Sequence, residues 1–160
     1  MITINDYWMG RDTKYHDDLT LEIMGNAHET VEKVNQLLSI YEAETGKVVD
    51  QVNSGWRPKT VNDTTANSAS KSKHLTAQAC DLYDPYGDLD KWCLKHLDVL
   101  VEIGLWMEHP GWTAGHGVNT GWCHLQIVPP MSTPRVRVYV PSISPPQTSI
   151  YGRSPIYVDV

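Results

Sequence analysis

Cysteine is scarce in this sequence of 160 residues, with three copies at unrelated positions. An odd, scattered set of this kind is not a disulfide framework, so we expect synthesis in a reducing cytoplasm. Runs of basic residues are also missing, and the formal net charge is -6. Because nucleic-acid-binding domains carry a basic patch, we expect no nucleic acid as partner.

Long apolar stretches are absent as well. No segment approaches the roughly eighteen consecutive apolar residues of a membrane-spanning helix, so no membrane span is expected. Residues 1–7 lack the basic region and apolar core of a secretory signal. We therefore expect synthesis in a cytoplasm without a signal peptide, and any target outside that compartment must be reached by another route.

Hydrophobic periodicity predicts helices and short strands in one domain, which 160 residues are enough to form. Apolar residues recur near the helical period over 19–46, where Gly25 and Asn26 mark a possible division, and again over 89–103. The polar stretch 59–73 is predicted to be a loop. Strands are predicted at 48–54, 78–82, 105–108 and 122–127. This mixture is typical of an α+β domain with a small antiparallel sheet.

Two histidines and one aspartate form the pattern with the clearest chemistry. His74 and Asp81 are separated by six residues, and His124 lies far downstream. Two imidazoles and a carboxylate form a three-ligand zinc set, which leaves a fourth position open for water, as in catalytic rather than structural zinc sites. We therefore expect zinc (Zn) as the cofactor, held by these three residues.

The cysteines are expected to lie in the core and not at the metal. Neighbouring residues on a strand point to opposite faces, so Cys80 and Cys123 should face away from a metal bound by Asp81 and His124. Cys93 is expected in the core as well. Three further histidines have no motif around them and are expected at the surface: His16, His28 and His96.

The sequence around these residues resembles the M15 family of zinc peptidases, which includes D-alanyl-D-alanine carboxypeptidases and L-alanyl-D-glutamate endopeptidases. The similar blocks are Ser54-Gly55-Trp56-Arg57-Pro58, Ser72-x-His74-x6-Asp81, Trp122-x-His124-x-Gln126 and, as in phage members, residues 104–110. The resemblance covers about residues 1–130. It implies a hedgehog/DD-peptidase-like fold, with zinc on the open face of the sheet, and cleavage of bacterial peptidoglycan peptide.

The resemblance also implies roles for two residues outside the metal set. Arg57 would lie near the scissile carbonyl or a substrate carboxylate, a task that suits a planar guanidinium with a permanent charge. Ser72 would form a turn or a supporting hydrogen bond, or else contact the substrate. It is not expected to be a nucleophile, because no base is predicted beside it.

The sequence departs from the family pattern at three positions. Gly121 stands where many members carry a catalytic glutamate, and Trp122 stands where others carry histidine. Ala77 replaces a usual glycine, which is a small change. A catalytic base must therefore come from elsewhere or be absent.

Glu108 is the expected base, because it ends a predicted strand that should lie next to the His124 strand. A metallopeptidase needs such a carboxylate or imidazole near the metal-bound water. His109 and His116 are the rival candidates. His109 should point away from Glu108 on extended backbone before a proline, and His116 lies in a glycine-rich segment.

Residues 131–160 form a proline-rich C-terminal extension. Residues 135–140 alternate as an edge strand would, and 156–160 are a candidate for another strand. Two interpretations stay open: an extension lying over the domain, or an arm that pairs strands with another chain.

These features together predict a zinc metallopeptidase that cleaves amide bonds in peptidoglycan stem peptides or cross-links. By family analogy it would be a phage lysis enzyme (an endolysin), acting after holin-type release, or a wall enzyme carried by a virion. The alternative is a zinc-binding module without turnover, with a structural or wall-binding role in a phage particle. Gly121 and the proline-rich extension motivate that alternative.

Overall fold

The protein is an α+β domain, as expected. Its structure is a computed structural model that describes residues 1–66, 68–113, 121–130 and 137–139. The helices are α1 (Ile4–Trp8), α2 (Arg11–Lys14), α3 (Leu21–Thr45), α4 (Lys59–Thr64), α5 (Asp88–Lys95), α6 (Leu97–Ile103) and α7 (Pro110–Thr113), with a 3-10 turn at His16–Asp18. The strands are β1 (Val52–Ser54), β2 (Ala79–Tyr83), β3 (Trp106–Glu108), β4 (Trp122–Gln126) and β5 (Val138–Tyr139).

The five strands form one sheet in the order β1-β2-β4-β3-β5. The first four are antiparallel to their neighbours, and β5 runs parallel to β3. The β2–β4 pairing is the longest, and in it Asp81 lies directly opposite His124. Two of the three predicted metal ligands are therefore cross-strand partners at the centre of the sheet.

Helix α3 is the longest helix and lies against α1, α6 and β2. It begins after Thr20, whose side chain accepts a hydrogen bond from the Ile23 N–H, and ends at Gly46 in the left-handed conformation. The helix predicted over 19–46 is confirmed, and it runs unbroken through Gly25 and Asn26. Its buried residues lie along one face: Ala27, Thr30, Val34, Leu37, Leu38 and Tyr41.

The loop predicted over 59–73 is wrong in its first part, where α4 forms. The Pro58 carbonyl accepts hydrogen bonds from the N–H groups of Val61 and Asn62, both 2.9 Å. The Thr65 hydroxyl donates back to the Val61 carbonyl at 2.7 Å. Asn62 is buried and its side chain donates to the Ala69 carbonyl. The polar side chains that suggested a loop thus form bonds within and around a short helix.

The single helix predicted over 89–103 is also wrong, because the chain divides into α5 and α6 at His96. There the backbone leaves the helical region, with φ -124° and ψ 49°. The His96 ring stacks on Trp92 with centroids 4.2 Å apart, and its Nε2 lies 3.3 Å from a carboxylate oxygen of Glu44. His96 is therefore half-buried at a helix junction and not a simple surface residue.

The strand residues that point away from the metal ligands form the apolar core. Cys80, Leu82, Cys123 and Leu125 are all fully buried there. Cys93 is buried as well, and the three cysteines are free thiols. The expectation that cysteines belong to the core is confirmed. Strand β1 is shorter than predicted over 48–54, and the other predicted strands agree to within a residue or two.

Strand β5 falls in the predicted C-terminal extension. Val138 is buried beside β3, and the Met107 N–H donates to the Arg137 carbonyl at 2.8 Å. The Arg137 guanidinium lies 4.0 Å from the centre of the Trp106 ring, a cation–π contact. The edge strand predicted over 135–140 is confirmed at these residues, and the strand suggested at 156–160 lies outside the described part. None of the described helices combines the length and apolarity needed to cross a bilayer.

Candidate metal centre

His74, Asp81 and His124 come together on the face of the sheet opposite the core. One ligand atom from each can be chosen so that all three lie within 4.8 Å of one another. Asp81 and His124 are held opposite each other by the β2–β4 pairing. His74 lies in the turn before β2, where the Ala77 N–H donates to the His74 carbonyl. The expected grouping of the three residues is confirmed, and together they could hold a metal ion.

The His74 imidazole is oriented by Gly55. Its Nδ1 lies 2.7 Å from the Gly55 carbonyl oxygen, which can only accept, so Nδ1 must carry the hydrogen. In the neutral ring this leaves a lone pair on Nε2. That atom is buried, makes no hydrogen bond within the described residues, and lies 3.2 Å from Oδ2 of Asp81.

A lone pair facing a carboxylate oxygen at this distance is unfavourable unless a proton or a cation lies between them. His74 is only 1% exposed, and burial lowers its pKa, although Asp81 opposes this. The protonated ring is therefore disfavoured here. A metal ion between them would remove this conflict, because an imidazole lone pair and a carboxylate oxygen can both bind it.

Asp81 is poised as an anionic ligand. Burial alone would raise its pKa, but the neighbouring His74 ring and the hydrogen bond and charge of His124 hold it well below its usual range. The Nδ1 atom of His124 lies 2.6 Å from Oδ1 of Asp81. Burial lowers the pKa of His124, but this bond to Asp81 outweighs it and the net shift is upward. In the metal-free site the carboxylate is thus ionised and bonded to His124.

Glu108 lies in the electrostatic field of the same site. It is the last residue of β3 and is partly buried. Burial raises its pKa to about 7, with His124 and Arg57 lowering it and Asp81 raising it. A carboxyl group with this pKa changes protonation near neutral pH, which suits a general acid or base.

Arg57 and Ser72 form hydrogen bonds with each other and with the turn that carries His74. The Arg57 N–H donates to the His74 carbonyl at 3.0 Å, and Nη2 of Arg57 donates to Oγ of Ser72 at 3.0 Å. The same hydroxyl oxygen accepts a bond from the His74 N–H at 3.3 Å. Ser72 therefore links Arg57 to the His74 turn, and its contact with a substrate stays a prediction.

The rival bases have different surroundings. Nδ1 of His109 accepts a hydrogen bond from the Gly111 N–H at 3.0 Å, a local contact within one turn. Burial lowers the pKa of His109. His116 lies outside the described residues. Gly121 is buried and its carbonyl accepts from the Asp84 N–H, so this position supplies only backbone.

Nothing in the sequence predicts that Arg11 lies close to the candidate site. Its Nη1 donates to the carbonyl of Trp56, the residue before Arg57, at 2.7 Å. The contact joins positions 45 residues apart and involves a backbone oxygen. No local pattern in the sequence marks such a contact.

Comparison of the chain with protein-family models, with curated proteins and with solved structures found no match. The site is therefore interpreted from its own geometry. That geometry combines a buried three-residue group that could hold a metal ion, a carboxyl group whose pKa is raised to about 7, and an arginine bonded to the turn that carries His74.

Proposed function

We propose that the protein is a zinc-dependent peptidase of the M15 type that cleaves amide bonds in bacterial peptidoglycan peptides. The observation that carries the proposal is the buried group of His74, Asp81 and His124, in which His74 Nε2 lies 3.2 Å from Asp81 Oδ2 and has no hydrogen-bond partner among the described residues. A buried ring nitrogen without a hydrogen-bond partner is uncommon in proteins, and a metal ligand needs such a free lone pair.

Zinc suits the ligand set. Two imidazoles and a carboxylate with an open fourth position are typical of catalytic zinc, and tetrahedral bonds of about 2.0–2.1 Å place ligand atoms roughly 3.3 Å apart. The separation of 3.2 Å between His74 Nε2 and Asp81 Oδ2 agrees with that spacing. Zinc bound here would lower the pKa of a water molecule and polarise a scissile carbonyl.

Glu108 is the proposed general base. It would accept a proton from water at the site and donate it to the leaving amine. A pKa of about 7 suits both directions of transfer near neutral pH. Arg57 would stabilise negative charge that develops on the carbonyl oxygen, or hold a carboxylate of the substrate.

The substrate class comes from the sequence blocks that resemble M15 peptidases. Peptidoglycan stem peptides are short, contain D-residues, and carry free or amidated carboxylates. An endolysin released through holin pores, or a wall enzyme carried by a virion, is the biological setting that this resemblance supports. Endopeptidase and carboxypeptidase activity both agree with a site of this kind.

Digestion of purified peptidoglycan, followed by mass spectrometry of the released muropeptides, tests the proposal and names the bond. We expect one zinc per chain and new muropeptides with free amino termini or lost D-alanine. A chelated sample and His124→Ala should give neither. Zinc without hydrolysis, together with stable assembly into a particle, would instead favour the inactive zinc-binding module.

A further inference from the structure

Two arginines from distant parts of the chain come near the candidate metal centre: Arg11 bonds to the Trp56 carbonyl, and the next residue, Arg57, bonds to the His74 carbonyl. Arg11 is on α2, and its guanidinium bonds to the backbone oxygen of Trp56, next to Arg57. Both arginines are half-buried. One guanidinium donor is used by Arg11 in this contact and one by Arg57 in its bond to Ser72. Each guanidinium has five donors, so several donors of the pair have no partner among the described residues.

The charges of the Arg11 and Arg57 guanidiniums interact with each other and with the Asp81 carboxylate. Burial lowers the pKa of Arg11 and of Arg57, and the charge of Arg11 lowers that of Arg57 further. The carboxylate of Asp81 raises both. Both guanidiniums therefore lie within electrostatic range of the predicted metal ligands.

Within the ranges that the structure describes, neither arginine forms an ion pair at contact distance with a carboxylate. The ion pairs there join other residues. Partly buried charges are usually paired, because desolvation of an unpaired charge is costly. Two guanidiniums that influence each other and have no carboxylate partner among the described residues would attract an anion, and their planar forks match a carboxylate best.

We propose that Arg11 is a second substrate-binding residue, which together with Arg57 binds a free carboxylate of the peptide substrate. The inference rests on the proposed function for the identity of the substrate. It specifies the chemical class further: peptides with an ionised carboxylate near the scissile bond bind, and their amidated forms bind weakly. Arg11 would act by contact with substrate and not through the metal.

The alternative is a purely structural role, in which Arg11 only holds α2 against the chain near Trp56. The two roles differ in what they discriminate. A fastening residue changes stability and affects all substrates alike, whereas a carboxylate-binding residue changes the preference for free over amidated peptide. Lys14 offers a matched control, because it is an exposed cation on the same helix.

The test uses zinc-loaded full-length protein and the peptide L-alanyl-γ-D-glutamyl-L-lysyl-D-alanine, with its carboxylates free or amidated. Calorimetric Kd values are measured for the wild type, Arg11→Gln and Lys14→Gln, together with melting temperature and zinc content. We expect the wild type to bind the free peptide at least about tenfold more tightly, which corresponds to roughly 1.4 kcal/mol. Arg11→Gln should reduce this ratio to within about twofold, and Lys14→Gln should keep it.

Equal preference in the wild type and Arg11→Gln, or equal loss of affinity for both peptides, would overturn the inference, as would failure of the wild type to bind either peptide. If Arg11→Gln does not fold, Arg11→Lys replaces it; it keeps the charge but not the fork, and should give an intermediate ratio. All of these proteins also carry Glu108→Gln, which should retain fold and zinc while removing turnover, so that binding alone is measured. Absence of peptidoglycan hydrolysis would therefore contradict the proposed function while this measurement still decides the role of Arg11.

Discussion

Gly55 packs against the backbone of Tyr7 so closely that a Cβ at Gly55 would lie 1.9 Å from the Tyr7 carbonyl oxygen. The neighbouring carbonyl carbon would be 2.8 Å away. Both are backbone atoms of α1 and cannot rotate aside. Because the Gly55 carbonyl also orients His74, this contact joins the packing of α1 to the geometry of the metal centre.

Gly55→Ala should therefore destabilise the protein and weaken metal binding together. We expect a loss of about 3 kcal/mol or more in the free energy of unfolding, at the upper end of overpacking effects. Urea unfolding followed by circular dichroism, with metal analysis, measures both. Gly25→Ala is the matched control, since a Cβ at that position in α3 meets nothing within 4 Å and should stabilise the helix by about 0.5–1 kcal/mol. Similar stabilities for the two variants would contradict the packing argument.

His124→Ala should abolish stoichiometric metal binding, because it removes one of the three proposed ligands among the described residues. Cys123→Ser, at the adjacent position on the opposite face of β4, should keep one metal ion per chain. Cys80→Ser should behave in the same way on β2. Elemental analysis after dialysis measures the content. Metal lost in a cysteine variant but retained in His124→Ala would refute the ligand set.

Glu108→Gln should retain fold and metal but lose about 10²–10⁴ in kcat, the usual effect of removing a positioned base. The base must be ionised, so kcat/KM of the wild type should rise with pH through the pKa of Glu108. That pKa is about 7 without metal, and a bound cation lowers it further, so the midpoint should lie at or below pH 7. The residual activity of Glu108→Gln should not show this rise of kcat/KM with pH.

His109→Gln provides the comparison for this experiment. Its imidazole accepts a local bond from Gly111, so the substitution should cost little in kcat. A pH–rate profile that is unchanged in Glu108→Gln but altered in His109→Gln would move the role of base to His109.

The buried carboxyl group of Asp90 should make the free energy of unfolding depend on pH, independently of the metal. It is 2% exposed, and its Oδ2 accepts a hydrogen bond from the Thr113 hydroxyl. Burial, with help from Asp84 and Glu108, raises its pKa to about 7, against bonds from Cys123 and Thr113 that lower it. The folded protein thus binds a proton that the unfolded chain has released between pH 4 and 7.

Stability contributed by this proton is fully present below about pH 4 and is lost as the pH rises towards 7, by at most about 1.4 kcal/mol per pH unit. Asp90→Asn mimics the protonated form and should be stabilising relative to wild type at pH 8 but not at pH 4. Chemical unfolding of metal-free protein at both values measures this. Glu102→Gln, at an exposed position of α6, should show no such difference. Parallel behaviour of the two variants would rule out the buried proton.

The sequence predicted those parts of the fold whose signals are local. Helix α3 has an apolar face repeated over 25 residues, with a capping threonine and a final glycine, so its limits could be predicted closely. Helix α4 could not, because its asparagine and threonine side chains favour loops until they find partners such as the Ala69 carbonyl. The break at His96 depends on stacking against Trp92 and on Glu44, which lies 52 positions away in the chain.

The candidate site likewise contains some residues that the sequence could predict and others that it could not. His74, Asp81 and His124 could be predicted because their residue types and order form a recognisable ligand set. Arg11 could not, because its guanidinium bonds to a backbone oxygen 45 residues away, which no sequence pattern marks. The orientation of His74 by Gly55 likewise depends on tertiary contact. Sequence patterns therefore predict which atoms bind a metal better than which residues orient them.

The pairing of Asp81 with His124 has a consequence for errors in folding. If β2 slipped by one residue along β4, the whole strand would turn over, and Cys80 would take the place of Asp81 on the open face. The same slip would bury a carboxylate among Leu125 and its neighbours, which is strongly unfavourable. The apolar residues of the opposite face therefore destabilise a slipped sheet. In this way they favour the one register in which Asp81 and His124 lie opposite each other.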